Sequence, residues 1–355
     1  MLAARTLKDL AIESGFSLAG VARAEPLDPA PLDSWIKSGC HASMDWLART
    51  HATRLDPSCL LPGAQSVLAL AACYVTRSHR LDAPVAPVAQ GRDYHSVMRD
   101  KLKVLRRRLN ALDASINAFA TVDTAPIQEK AWAARAGLGW LGRSGLIVTA
   151  EHGTRVVLAT LIIDRDVDAP DAPLPSRCGD CDRCLKACPT GALLGDGRLD
   201  ARRCLAWQTI EARQGAFLPN LLPAAGAGVF GCDLCQRACP WNHPEHACDD
   251  AKFLPRELAS LDLSAWRDID ESRFDELTRG TALRRAGFDA IRRNARAAIA
   301  ARELSQGIEL SQAIDPIPEN EADAQKSAVQ AGEKRPEDTP RSAPPSRETR
   351  RGSPR

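Results

Sequence analysis

The sequence predicts an α+β protein in which a mixed helix-and-strand domain precedes a cysteine-rich domain with a helical cap. Three observations carry this expectation. Short continuous apolar runs alternate irregularly with helix-periodic segments over the first 165 residues; eight of the 12 cysteines crowd between positions 178 and 239; and residues 253–302 turn helical again.

Residues 7–16 (LKDLAIESGF) place apolar side chains at helical intervals and meet Gly15, a helix stop. Residues 66–74 are continuously apolar after Pro62-Gly63, as a strand buried on both faces is. Similar runs at 117–122, 145–148 and 156–163 read as further strands, and 94–112 and 126–136 carry helical periodicity with basic outer faces. The Asp- and Pro-rich stretch 164–175 reads as a linker. The expected organisation is a first domain over 1–165, a two-cluster domain over 166–250, a helical cap over 251–304 and a disordered polar tail over 305–355. Within that tail, residues 326–355 hold eight basic and four acidic side chains and too little apolar surface to offset ordering entropy.

Composition excludes several classes. No stretch of the 355 residues nears the roughly 18–20 apolar residues of a membrane-spanning helix, and the charged N-terminal residues lack the core of an export signal, so a cytoplasmic location is expected. With 47 Lys plus Arg against 45 Asp plus Glu, no global field draws in nucleic acid, and any RNA contact relies on a local patch.

Cys178-x2-Cys181-x2-Cys184-x3-Cys188-Pro189 has the spacing of a two-cluster ferredoxin, in which three thiolates hold one cubane and the fourth reaches to the other. The second run, Cys232-x2-Cys235-x3-Cys239-Pro240, lacks a leading cysteine, and Cys204 can fill the gap. Cross-ligation then gives Cys178, Cys181, Cys184 and Cys239 to one 4Fe-4S cluster, and Cys188, Cys204, Cys232 and Cys235 to the other. Tetrahedral zinc is the alternative for Cys-x2-Cys pairs, although two Cys-x3-Cys-Pro endings suit it poorly. Cys40, Cys59, Cys73 and Cys248 lie outside both runs and read as structural free thiols. The chain has neither a Gly-x-Gly-x-x-Gly dinucleotide loop nor a Walker loop, so its electrons are expected from a separate carrier.

Five segments resemble the epoxyqueuosine reductase family: Asp93-Tyr94-His95, residues 122–130 (VDTAPIQEK), residues 135–143 (RAGLGWLGR), residues 204–211 (CLAWQTIE) and residues 231–242 (GCDLCQRACPWN). The likeness covers roughly residues 5 to 300, and the Asp-Thr-Ala-Pro and Gly-Leu-Gly-Trp elements are its selective part. The resemblance implies cob(II)alamin, held base-off between a nitroreductase-like, cobalamin-binding first domain and a ferredoxin-like domain whose two 4Fe-4S clusters feed it. It implies reduction of epoxyqueuosine to queuosine at the wobble position of tRNA with a GUN anticodon, by a monomer that takes electrons from an external donor such as flavodoxin or ferredoxin. A corrinoid reductive dehalogenase-like reductase, or an electron-transfer ferredoxin fused to a binding domain, are the competing readings.

By the same resemblance Asp123 is the proton donor, a role that suits a carboxyl with a raised pKa; its other reading is a helix N-cap, since Thr124 and Pro126 follow it. Arg54, Asp123, Ser144, Ile147 and Leu158 are the implied cobalamin contacts, and Tyr94 and His95 lie near the substrate. Arg284, Arg285, Arg292 and Arg293 form the best local phosphate patch, or else a solvated helix face. The chain departs from the family pattern at Gly142-Arg143-Ser144, where an amide side chain is usual, and at Ala206-Trp207, where a Ser-Tyr pair is usual.

Overall fold

The computed structural model describes residues 1–306; the tail expected over 305–355 lies, from residue 307 onward, outside the described residues. α1 (Ala4–Glu13) stops ahead of Gly15 at φ 92°. It is followed by β1 (Leu18–Arg23), α2 (Ala30–Lys37) and the short α3 (Trp46–Arg49) and α4 (His51–Leu55). Next come β2 (Ser66–Cys73), α5 (Tyr94–Leu112), β3 (Ala118–Thr121), α6 (Glu129–Arg135), the hairpin strands β4 (Trp140–Leu141) and β5 (Ile147–Val148), and β6 (Val156–Ile163). The cysteine region carries α7 (Arg183–Ala187), α8 (Leu205–Ile210) and α9 (Leu234–Arg237), and the C-terminal part α10 (Leu263–Asp268), α11 (Glu271–Thr278) and α12 (Phe288–Ser305). β1 and β4 were not among the expected strands; LAGVAR is built of small residues and β4 is only two residues long.

The main sheet runs β1-β2-β6-β3, every pairing antiparallel. β2 is buried along its whole length because helices cover both faces. Leu68, Leu70 and Ala72 pack with Leu7, Val97 and Leu105 from α1 and α5. Val67, Ala69 and Ala71 face Trp132, Leu138 and Ile147. Its apolar run is therefore continuous although the sheet is antiparallel, and each fully buried aliphatic side chain contributes about 1.5–3 kcal/mol.

The stretch 164–175 is not a free tether. Asp171 accepts from the Val21 N–H (2.8 Å) and the Lys8 ammonium (2.7 Å), its own N–H donates to the Val21 carbonyl (2.7 Å), and Asp168 accepts from the Ala4 N–H. The segment is laid as a strap along the outer edge of β1. A further core joins Trp266, Leu283, Ile291 and Ala298 of the C-terminal helices to Val85, Val229 and Phe230, and buried Asn294 of α12 donates to the Thr209 and Val229 carbonyls at 3.0 and 2.9 Å. Among the described residues, no helix is long and apolar enough to cross a membrane.

Gly139 opens β4 so close to its partner that a Cβ there would lie 2.2 Å from the Val148 carbonyl oxygen, a backbone atom that cannot swing away. Gly139→Ala is expected to cost about 1–3 kcal/mol by overpacking, read as a lower apparent Tm and a reduced yield of folded protein.

Candidate active site and cysteine centres

The site begins at the N-terminus of α5. Asp93 caps that helix by accepting from the His95 N–H (3.0 Å), and its own N–H donates to the Gly280 carbonyl (2.8 Å), which ties the cap to the C-terminal part. The cap aims the His95 side chain: Nδ1 meets Asp93 Oδ1 at 2.7 Å and Nε2 meets Asp123 Oδ2 at 2.8 Å. With a carboxylate on each nitrogen, both ring nitrogens must donate, so the ring is an imidazolium. Burial alone pushes the His95 pKa down, but the hydrogen bonds and charges of Asp123 and Asp93 outweigh it and raise it to about 9.

Asp123 follows β3 in a loop and sits at φ 53°, a left-handed conformation that non-glycine residues rarely adopt. α6 starts only at Glu129, with Gln128 at its cap, so Asp123 is not a helix N-cap. Its strained backbone is held from two sides: the N–H donates to Glu129 Oε1 (2.8 Å), and the carboxylate receives His95. Tyr94 lies close enough to interact with Asp123, with its ring stacked on His95 at 4.0 Å, and Arg285 Nη1 stands 3.7 Å from Asp123 Oδ2. Burial pushes the Asp123 carboxyl up, yet His95, Arg285 and Tyr94 more than offset it and its pKa is lowered. The raised pKa expected from the sequence is therefore corrected: the proton of this pair resides on His95.

Glu129, one residue of the quoted motif to which sequence reasoning gave no role, is pushed by burial up to about 8. Its neighbour Lys130 is solvent-accessible, yet desolvation lowers its pKa, and Asp123 keeps 40% of its side-chain surface accessible although burial is its largest perturbation. Both carboxylate and ammonium are thus partly desolvated although their side chains stay accessible. Buried Arg54 feels the charges of Asp123 and Glu129, while its Nε donates to Thr50 Oγ1 (2.9 Å). Lys130 Nζ donates to the Gly145 carbonyl (2.8 Å), which draws the hairpin bearing Ser144 and Ile147 toward the start of α6. Ile147 and Leu158 belong to the core on the α6 side of the sheet.

The four arginines of the expected phosphate patch each take different partners. Arg285 alone joins Asp123 and also pairs with Glu211 (3.2 Å). Arg284 pairs with Asp275 (3.0 Å), Arg292 covers the Phe288 ring and donates to the Arg267 carbonyl, and Arg293 donates to the Gly215 and Gln208 carbonyls.

The seven cysteines of the two runs and Cys204 are free thiols of intermediate burial, and α7 packs on α9. Their electrostatic neighbours fall into two sets. Cys239 feels Cys178, Cys184 and Cys181, and Cys184 feels Cys178 and Cys181. Cys232 and Cys235 feel Cys204 and Cys188, and Cys204 feels Cys188. N–H groups point at the sulfurs, from Trp140 Nε1 to Cys178 Sγ at 3.5 Å and from Ala192 N to Cys188 Sγ at 3.3 Å. Four thiols per set match the four ligands of a 4Fe-4S cubane.

A corrinoid also has matching groups. Thr121 and Thr160, paired across β3 and β6 on the face that carries Leu158, each bury a hydroxyl that has no hydrogen-bond partner. Such unsatisfied groups suit a ligand rich in amides.

A family model described as "4Fe-4S double cluster binding domain" matches residues 177–242, and one described as "Epoxyqueuosine reductase QueG, DUF1730" matches residues 54–124. An epoxyqueuosine reductase of Gloeobacter violaceus is 38% identical over 309 residues, covering 84% of this chain and 96% of the relative. Among solved structures, an epoxyqueuosine reductase with an epoxyqueuosine-modified tRNA-Tyr stem loop matches at TM-score 0.72 and 30% identity, over 84% of this chain and 80% of that one. The Bacillus subtilis enzyme, described with its catalytic aspartate loop swung out of the active site, matches at TM-score 0.74 and 29% identity, over 85% and 82%. With two separate segments matched by family models and most of its length aligned to such relatives, the chain belongs to the epoxyqueuosine reductase family, oxidoreductases of tRNA modification.

Proposed function

We propose that this chain reduces epoxyqueuosine in tRNA to queuosine, with the Asp123–His95 pair delivering the proton and the two sets of four cysteines each holding a 4Fe-4S cluster. The reaction takes two electrons and two protons, turns an epoxide into an alkene and releases its oxygen as water. The observation that carries this reading is the 2.8 Å contact between protonated His95 and Asp123.

When bound, cob(II)alamin supplies the reducing electrons at the epoxide, passed on from the clusters. Arg54, Ser144, Ile147, Leu158 and the hydroxyls of Thr121 and Thr160 are the residues that would hold it. Asp123 is the group we set against the epoxide oxygen. As negative charge grows on that oxygen, Asp123 relays the proton kept on His95 Nε2, and Asp93 on the opposite nitrogen steadies the ring. Arg285, 3.7 Å from the same carboxylate, adds positive charge where the oxyanion develops. Residues 1–165 would form the nitroreductase-like domain, 166–250 the ferredoxin-like one and 251–304 the cap, in a monomer reduced by an external flavodoxin or ferredoxin.

The deciding experiment is anaerobic reconstitution with iron, sulfide and cobalamin, followed by incubation with epoxyqueuosine-containing tRNA and nucleoside mass spectrometry. Loss of one oxygen mass is expected; a bound corrinoid with untouched tRNA would favour the dehalogenase-like reading. The pH dependence follows from His95. Because its pKa is raised from about 6.5 to about 9, the proton and the stability it brings are fully present below 6.5 and are lost as pH rises through 9. Turnover measured from pH 7 to 10 at constant iron content should therefore show a declining limb near 9.

A further inference from the structure

Two cysteines outside the cluster runs meet in space. Cys73 ends β2 and is buried; Cys248, 175 residues later, is half-buried in the irregular segment after the second run. The Cys248 N–H donates to the Val75 carbonyl (2.8 Å), and its Sγ lies 3.1 Å from the Cys73 carbonyl oxygen, so Cys248 sits directly against the backbone of Cys73. Cys73 Sγ lies 3.8 and 3.6 Å from the Val75 and His246 carbonyl oxygens. This proximity polarises the pair. Interaction with Cys73 lowers the Cys248 pKa to about 7, and the same interaction with burial drives the Cys73 thiol well above its ordinary range. A cavity of about 450 Å³ lies nearby, lined by Ala247, the chain neighbour of Cys248, by Val75, two residues after Cys73, and by Arg77, Arg155 and Glu245.

We propose that Cys73 and Cys248 are a reversible dithiol–disulfide couple, oxidised by a small anionic disulfide of the glutathione class that reaches Cys248 through this cavity. The Cys248 thiolate attacks one sulfur of the small disulfide, forming a mixed disulfide and releasing one small thiol. Cys73 then gives up its proton, attacks the Cys248 sulfur and releases the second. Two protein thiols are oxidised, one small disulfide is reduced to two thiols, and the end of the central strand is fastened to the segment that leaves the cluster region. This departs from the structural role that the sequence suggests for both residues, and it holds whichever substrate the active site takes.

The test uses the anaerobically purified, cluster-loaded full chain treated with glutathione disulfide, then alkylated, digested and mapped by mass spectrometry. The expected product is a linked peptide pair joining Cys73 to Cys248, two hydrogens lighter than the separate peptides, reopened by dithiothreitol and formed without loss of iron. Exposed Cys59 should carry only the mixed disulfide. In Cys248→Ser the link disappears and Cys73 stays unmodified. The proposal is overturned if Cys248 is recovered free under conditions that modify Cys59, if its mixed disulfide persists without transfer to Cys73, or if either residue is found joined to a cysteine of the two runs. The wild-type map decides the matter even if the variant does not fold.

Discussion

Asp123→Asn should lower the rate of epoxide reduction by about 10²–10⁴-fold, the usual contribution of a positioned proton donor, with iron content and tRNA affinity near wild type. The side chain keeps its size, and its carbonyl oxygen can still accept from His95 Nε2, so the loop has no steric reason to move. What is lost is a group that can be protonated in passing. The negative charge that holds the His95 proton also goes, so the imidazole pKa, raised largely by Asp123 after burial is discounted, should fall toward its ordinary value. Rate and pH profile must change together: the declining limb near 9 should move to lower pH. A variant that kept wild-type turnover, or lost it with an unshifted profile, would remove Asp123 from the proton path.

Cys204→Ser should remove one cluster and leave the other. Iron would drop from about eight to about four atoms per chain, and turnover with a chemical or protein reductant would fall to background. This cysteine is the informative one because it stands alone in sequence, at the start of α8, and reaches its set only through the fold, where it and Cys188 bear on Cys232 and Cys235. Cys184→Ser should strike the other set. Full iron occupancy in Cys204→Ser, or zinc in its place, would break the two-cubane assignment.

How much of this was legible in the sequence differs by kind of interaction. Tight cysteine spacings fix thiols locally, so the run from Cys178 to Cys188 could be read directly, and the extent of α5 followed from the helical period of residues 94–112. The start of α6 could not be read from Pro126, because the left-handed turn at Asp123 and the Glu129 contact delay the helix by three residues. The direction of the Asp123 shift was also hidden, since the decisive partner, His95, lies 28 positions upstream. The arginines looked like one patch because they are close in sequence, yet Arg284 and Arg285 sit in a 3₁₀ turn and point to different carboxylates. Side-chain direction in so short a turn depends on tertiary neighbours that periodicity does not encode.

The strap along β1 has a wider consequence. At Val21 both outward backbone groups of a terminal strand are taken by Asp171, the N–H by its carboxylate and the carbonyl by its amide. At that point a second molecule finds no open template for intermolecular strand addition, and any chain seeking to join must first displace a charged residue also bound to Lys8. An aspartate-rich stretch that reads as a mere spacer thus closes this position of the margin to strand addition, with its Asp171 and Asp166 side chains neutralised by Lys8 and Arg23.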